Sequence, residues 1–118
     1  MKIYGFIPAR MASSRLPGKP LKFIHGKPML EHVYERSNMF KKWENLSVAT
    51  CDEEIKNFCK IKGYDYVMTS KKHKRCLDRV FEAAKKNYKK ILDRDIVVCI
   101  QGDEPMLHPN MIKSVIKP

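Results

Sequence analysis

With 118 residues, 43% hydrophobic and 31% charged, the chain has the length of one domain and the composition of a folded protein, which excludes a disordered segment. Lysine and arginine outnumber aspartate and glutamate by 24 to 13, and the net charge of +11 suits polyanions or anionic small molecules as partners. The four cysteines (Cys51, Cys59, Cys76, Cys99) form no CxxC pair or zinc spacing, and no apolar run is long enough to span a membrane. The chain thus reads as a soluble, cytoplasmic protein with reduced thiols.

Ile3, Tyr4, Phe6 and Ile7 make a β-prone run that Pro8 ends, and Pro8 and Arg10 cut it too short for a signal peptide. The loop that follows runs to Leu21 and carries Arg10, Arg15 and Lys19, the hydroxyls of Ser13 and Ser14, and Gly18, a set of charged and neutral donors suited to a triphosphate. It is not a Walker loop, because no GxxxxGK[ST] string occurs. The same residues could equally face water in an ordinary βα loop. After the Gly26-Lys27-Pro28 turn, the spacing of Met29, Leu30, Val33, Tyr34 and Ser37 predicts a helix over 28–40.

Leu46 to Thr50 reads as a second strand. Asp52, Glu53 and Glu54 start a helix with Ile55, Phe58 and Cys59 as its buried stripe and Gly63 as its stop. Tyr64 to Thr69 reads as a third strand, and Leu77, Val80, Phe81 and Ala84 as the inner face of a third helix. Basic residues cluster at Lys71-Lys72-His73-Lys74-Arg75 and at Lys85-Lys86 with Lys89-Lys90, the latter fitting the carbonyl end of a helix. Ile96 to Ile100 is apolar without alternation, as in a parallel strand covered on both faces, and Pro109 opens a closing helix with Met111, Ile112, Val115 and Ile116. The βαβαβαβα order predicts a Rossmann-like, doubly wound α/β/α domain with a mainly parallel sheet.

Gln101-Gly102-Asp103-Glu104-Pro105 follows the last strand and belongs to the sheet edge that carries the first loop. A carboxylate opposite a cationic, triphosphate-binding loop is the arrangement a magnesium nucleotide needs, with Asp103 the better ligand of the two acids. The competing reading is that Asp103 and Glu104 only shape the turn or cap the next helix.

Taken together, Ile7 to Leu21, Gly26-Lys27-Pro28-Met29, Val48-Ala49-Thr50 and Val98 to Met106 resemble the cytidylyltransferases that activate sugar acids, above all the 3-deoxy-manno-octulosonate (Kdo) branch. The resemblance covers essentially the whole chain and implies a nucleotide-diphospho-sugar transferase type of fold. It also implies transfer of CMP from CTP to a sugar acid, with Mg²⁺ as cofactor, for lipopolysaccharide or another surface glycan. By motif, Ala9 and Arg10 would line the nucleotide pocket, Ser14, Arg15 and Lys19 would grip the phosphates, Gln101 would lie beside the nucleotide and Asp103 would hold the metal. Arg10, Lys19 and Asp103 would serve catalysis.

Two departures from the family pattern stand out. Arg75-Cys76-Leu77-Asp78-Arg79 replaces the Ser-Gly-Thr-acid-Arg string of the Kdo enzymes and is similar to the spore-coat-polysaccharide type. Arg79 is then either a nucleotide-binding residue or a surface helix arginine paired with Asp78 or Glu82. The second departure is length: residues 1–118 correspond to a nucleotide-binding part, without the C-terminal sugar-binding part, its second metal-binding aspartate and the segment that makes a homodimer of the complete protein. The alternatives are a basic nucleic-acid binding module, although no nucleic-acid motif accompanies the lysines, and an inactive truncated remnant of the family.

Overall fold

A computed structural model of the chain describes residues 2–11, 18–72, 76–87 and 96–100. Four strands, β1 (Ile3–Pro8), β4 (Trp43–Thr50), β5 (Asp65–Met68) and β6 (Ile96–Cys99), form a sheet in the order β5-β4-β1-β6, with every neighbouring pair parallel. Between β1 and β4 lie a 3-10 turn (Lys19–Leu21), a small hairpin of β2 (Phe23–Ile24) and β3 (Lys27–Pro28), and helix α1 (Met29–Asn38). Helix α2 (Glu53–Lys62) joins β4 to β5, and α3 (Cys76–Asn87) precedes β6.

Side chains alternate across β1 as the pleat requires. Ile7 and Ala9 join Leu30 and Val33 of α1, Leu46 and Val48 of β4 and Ile55 and Cys59 of α2 in one core. Tyr4 and Phe6 pack on the other face with Ala49, Val67 and the α3 residues Val80 and Ala83. Helices therefore cover both faces, and the expected three-layer α/β/α architecture is present. Pro8 is the last residue of β1 and pairs with Ala49. By the alternation of the backbone its missing N–H falls on the β6 side, where the last bond among the described residues runs from the Ile100 amide to the Phe6 carbonyl, 2.9 Å.

α2 ends as its sequence predicts. Gly63 takes a left-handed conformation (φ 76°), its N–H bonds the Lys60 carbonyl, and the Tyr64 N–H bonds that of Cys59 at 2.8 Å. The Tyr64 ring then packs edge-on against Phe58, the apolar contact that accompanies this kind of stop.

Several expectations need correction. β4 begins at Trp43 rather than Leu46, because the indole N–H bonds the Ser37 carbonyl at 2.8 Å and an irregularity in register between Ile3 and Tyr4 lets the polar 44–45 stretch join the strand. The Gly26-Lys27-Pro28 turn belongs to a hairpin in which His25 (φ 51°) and Gly26 (φ 83°) both have positive φ, the geometry of a tight two-residue connection. Phe81 is 64% exposed, beneath the Lys85 ammonium, while Ala83 is fully buried, so the inner stripe of α3 runs through Val80 and Ala83. β6 is only partly covered, with Val97 39% exposed at the end of the strand order. Leu77 lies outside the described side chains, and Lys89, Lys90 and the closing helix lie outside the described residues.

Candidate functional site

Parallel pairing sets the carboxyl ends of all four strands along one sheet edge. The Ala9 amide bonds the Ala49 carbonyl at 2.9 Å, and the Thr69 amide bonds that of Thr50 at 2.8 Å, which carries the alignment one residue beyond β1 and β5. Counted in chain order within this sheet, the strands run 3-2-1-4. The winding therefore reverses between β1 and β6, and a crevice outside the strand ends at such a reversal is where open α/β sheets bind ligands.

The first loop leaves the edge at this point. Ala9 is buried and Arg10 half-buried. The Met11 amide is held at 2.8 Å by the Oδ2 atom of Asp52, from the other side of the β1–β4 pair. The Met11 carbonyl accepts the Gly18 N–H at 2.7 Å, so the two ends of the 12–17 stretch are joined. Gly18 has φ 77°, a conformation that side chains disfavour, and its carbonyl takes the Leu21 N–H at 3.1 Å as Lys19 opens the 3-10 turn. Ala9, Arg10 and Lys19 thus belong to one loop rooted at the reversal point. Ser14, Arg15, Gln101 and Asp103 lie outside the described residues.

Arg79 reaches the same edge from α3, at β5, two strands from β1. It is 3% exposed, which removes the surface reading. Its Nη1 donates to the Thr69 hydroxyl and, at 3.3 Å, to the Ser70 carbonyl. One turn on, Glu82 accepts the Ser70 amide on both carboxylate oxygens, at 3.0 and 3.2 Å, and Lys86 bonds the Met68 carbonyl at 3.1 Å. α3 therefore fastens the segment from which the Lys71-to-Arg75 cluster departs.

Asp52 is the residue that sequence reasoning placed without seeing its task. It stands at the N-cap of α2, yet its side chain makes no capping bond; it reaches Met11 instead. The available signal was an acid directly after a strand that ends on the edge bearing the basic loop. A cavity of about 400 Å³ lies between the hairpin, α1 and α2, lined in part by Phe23, Pro28 and Phe58. None of the candidates with described side chains, Ala9, Arg10 and Arg79, lines it, and its charged groups serve ion pairs, Lys27 with Glu35 at 2.9 Å and Lys62 with Glu31 at 3.0 Å. Among the described residues no three His, Cys, Asp or Glu side chains cluster as a metal site, and no helix is long and apolar enough to cross a membrane.

A doubly wound parallel sheet whose first loop is rooted at its reversal point defines an α/β protein of Rossmann-like type. The cytidylyltransferase family model matches residues 4–118, and the chain belongs to the cytidylyltransferase family. It is 45% identical over 118 residues to 3-deoxy-manno-octulosonate cytidylyltransferase 2 of Hydrogenovibrio crunogenus, covering 100% of this chain and 47% of that protein. Over 116 residues it is 45% identical to 8-amino-3,8-dideoxy-manno-octulosonate cytidylyltransferase of Shewanella sp., covering 98% and 46%. Among solved structures, CMP:2-keto-3-deoxy-manno-octonic acid synthetase complexed with CTP matches with a TM-score of 0.89 and 38% identity, over 99% of this chain and 46% of that one. The chain thus spans under half the length of each of these relatives.

Proposed function

We propose that this chain is the CTP-binding part of a cytidylyltransferase that transfers CMP to a 3-deoxy-octulosonate sugar acid and releases pyrophosphate. The observation that carries the reading is the basic loop rooted by Asp52 at the β1/β6 reversal point, in a chain similar throughout to a synthetase complexed with CTP. Ala9 and Arg10 would line the nucleotide, Ser14, Arg15 and Lys19 would hold the phosphates, and Gln101 would lie beside the nucleotide. Arg79 serves the same edge by fixing Thr69 and Ser70.

In the reaction, a sugar hydroxyl oxygen forms the new bond to the α-phosphorus, the α–β P–O bond breaks, pyrophosphate leaves and the hydroxyl proton passes to solvent. Arg10, Arg15 and Lys19 contribute by orienting the triphosphate and neutralising charge on its oxygens. A carboxylate facing a triphosphate is a donor set that suits Mg²⁺, which would add further charge neutralisation, with Asp103 as its protein ligand. The named relatives differ in whether the acceptor carries an 8-amino group, so the substrate class is the octulosonate acid itself. Lipopolysaccharide or other surface-glycan synthesis, a cytoplasmic location and a homodimer of the complete protein belong to the same proposal.

Isothermal titration of the chain with CTP, with and without Mg²⁺, tests this, with ATP and a short oligonucleotide as controls. We expect CTP binding that Mg²⁺ strengthens and that exceeds ATP binding, with Arg10→Ala weakening it by about ten- to a hundredfold, the value of one charge-assisted hydrogen bond. Binding to the oligonucleotide alone, surviving Arg10→Ala and falling steeply with salt, would replace the reading with nucleic-acid binding. A well-folded chain that binds none of the three would be a remnant of the family.

A further inference from the structure

We propose that Asp52 is a positioning residue for nucleotide binding, setting where the first loop stands relative to the sheet edge. The inference rests on the reading of that loop as a phosphate grip. Residues with non-helical backbone at a helix start commonly turn their side-chain oxygen onto the helix's own amides. Asp52 has the backbone of such a residue, φ −105° and ψ 132°, and its carbonyl accepts the Lys56 amide at 3.0 Å, but its carboxylate caps nothing. Oδ2 accepts the Met11 amide at 2.8 Å instead, across 41 positions of sequence.

Three neighbouring groups hold this arrangement. The Asp52 amide donates to the Thr50 hydroxyl at 3.1 Å, and Thr50 is fully buried, so the backbone that carries the carboxylate is fixed to the end of β4. The Cys51 thiol lies 3.8 Å from the same Oδ2. The Met11 carbonyl, on the far side of its residue, takes the Gly18 N–H at 2.7 Å. Met11 is thus tied by its N–H to the second crossover and by its carbonyl to the returning end of the loop. In the chain Arg10 precedes Met11 and Lys19 follows Gly18, so a single carboxylate fixes, relative to the strand ends, the backbone from which both residues depart. Preorganised donors bind without the cost of ordering them, and the loss of the tie should appear as weaker binding rather than as a lost fold.

Two substitutions separate the tie from helix capping. Asp52→Ser keeps a good cap for α2 but is too short to reach Met11, whereas Asp52→Asn keeps an oxygen acceptor at the same reach. We expect Asp52→Ser to weaken Mg²⁺-CTP binding by about tenfold or more in calorimetry, with Asp52→Asn within about threefold of the parent. Hydrogen exchange of the Met11 amide should accelerate in Asp52→Ser while the α2 amides keep their protection. Unchanged CTP affinity in Asp52→Ser with an accelerated Met11 amide would overturn the positioning role, and so would an Asp52→Asn protein as weak as Asp52→Ser. If the parent chain bound no CTP, the cytidylyltransferase reading itself would fall, and Met11 exchange would still decide the tie: acceleration supports it and unchanged exchange refutes it.

Discussion

At Gly5, in the middle of the central strand, the sheet has no room for a methyl group. A Cβ there would stand 2.8 Å from the Trp43 ring and 2.9 Å from Leu46 Cδ1, both side chains of the neighbouring strand. Gly5→Ala is expected to cost about 1–3 kcal/mol in urea unfolding, the usual penalty for overpacking a core. Cys59 is the second sensitive position. Burial on α2 pushes its thiol up from 9.0 to about 11, so the folded chain holds it protonated where an unfolded chain would ionise. Its contribution is therefore complete below pH 9.0 and is lost as pH rises towards about 11. A scan of melting temperature against pH should fall in that window and fall less for Cys59→Ala. Burial raises the Tyr64 phenol in the same direction, so some alkaline loss should persist in the variant. Cys59 was legible from helical spacing because its stripe is made of large apolar side chains. Phe81 misled because its spacing to Leu77 and Ala84 imitates a buried stripe, whereas the inward positions belong to Val80 and the small Ala83, with Ala84 packed beside them.

Among the elements, α3 does more than cover a face. Arg79, Glu82 and Lys86 stand at successive turns of one helix side, and all three hold the backbone or hydroxyl groups of Met68, Thr69 and Ser70. Removing the buried guanidinium leaves acceptors without their donor, and Arg79→Ala is expected to cost about 2–4 kcal/mol in urea unfolding. Arg79→Lys should recover less than half of this, because an ammonium does not reproduce the planar fork. The positions of α1, α2 and β5 could be read from sequence because each combines an apolar period with a recognisable end, such as Gly63. The β2–β3 hairpin could not, since strands of two residues carry no period, and only the His25-Gly26 pair signals the turn. The tie from Asp52 to Met11 was hidden in another way: local spacing suggests a cap, and nothing short-range reports a bond across 41 residues.

For the molecule as a whole, alternation of strand and helix was enough to give the layers, while Arg10, Arg15 and Lys19 supplied the expectation of a phosphate-binding loop. That the loop leaves the sheet at the reversal point came only from the pairing of β1 with both β4 and β6, and its anchor only from the bond between Asp52 and Met11. That pairing also shapes how the chain folds as it leaves the ribosome. β1 lies inside the sheet, and Ile3 can meet Trp43 well before it can meet Ile96, which follows much later in the sequence. Until then β1 presents one open flank of backbone donors and acceptors between apolar side chains, the kind of edge that recruits other strands. A nascent chain of this protein therefore remains open to mispairing until β6 emerges, and chaperones that shield unpaired strands should matter most during that interval.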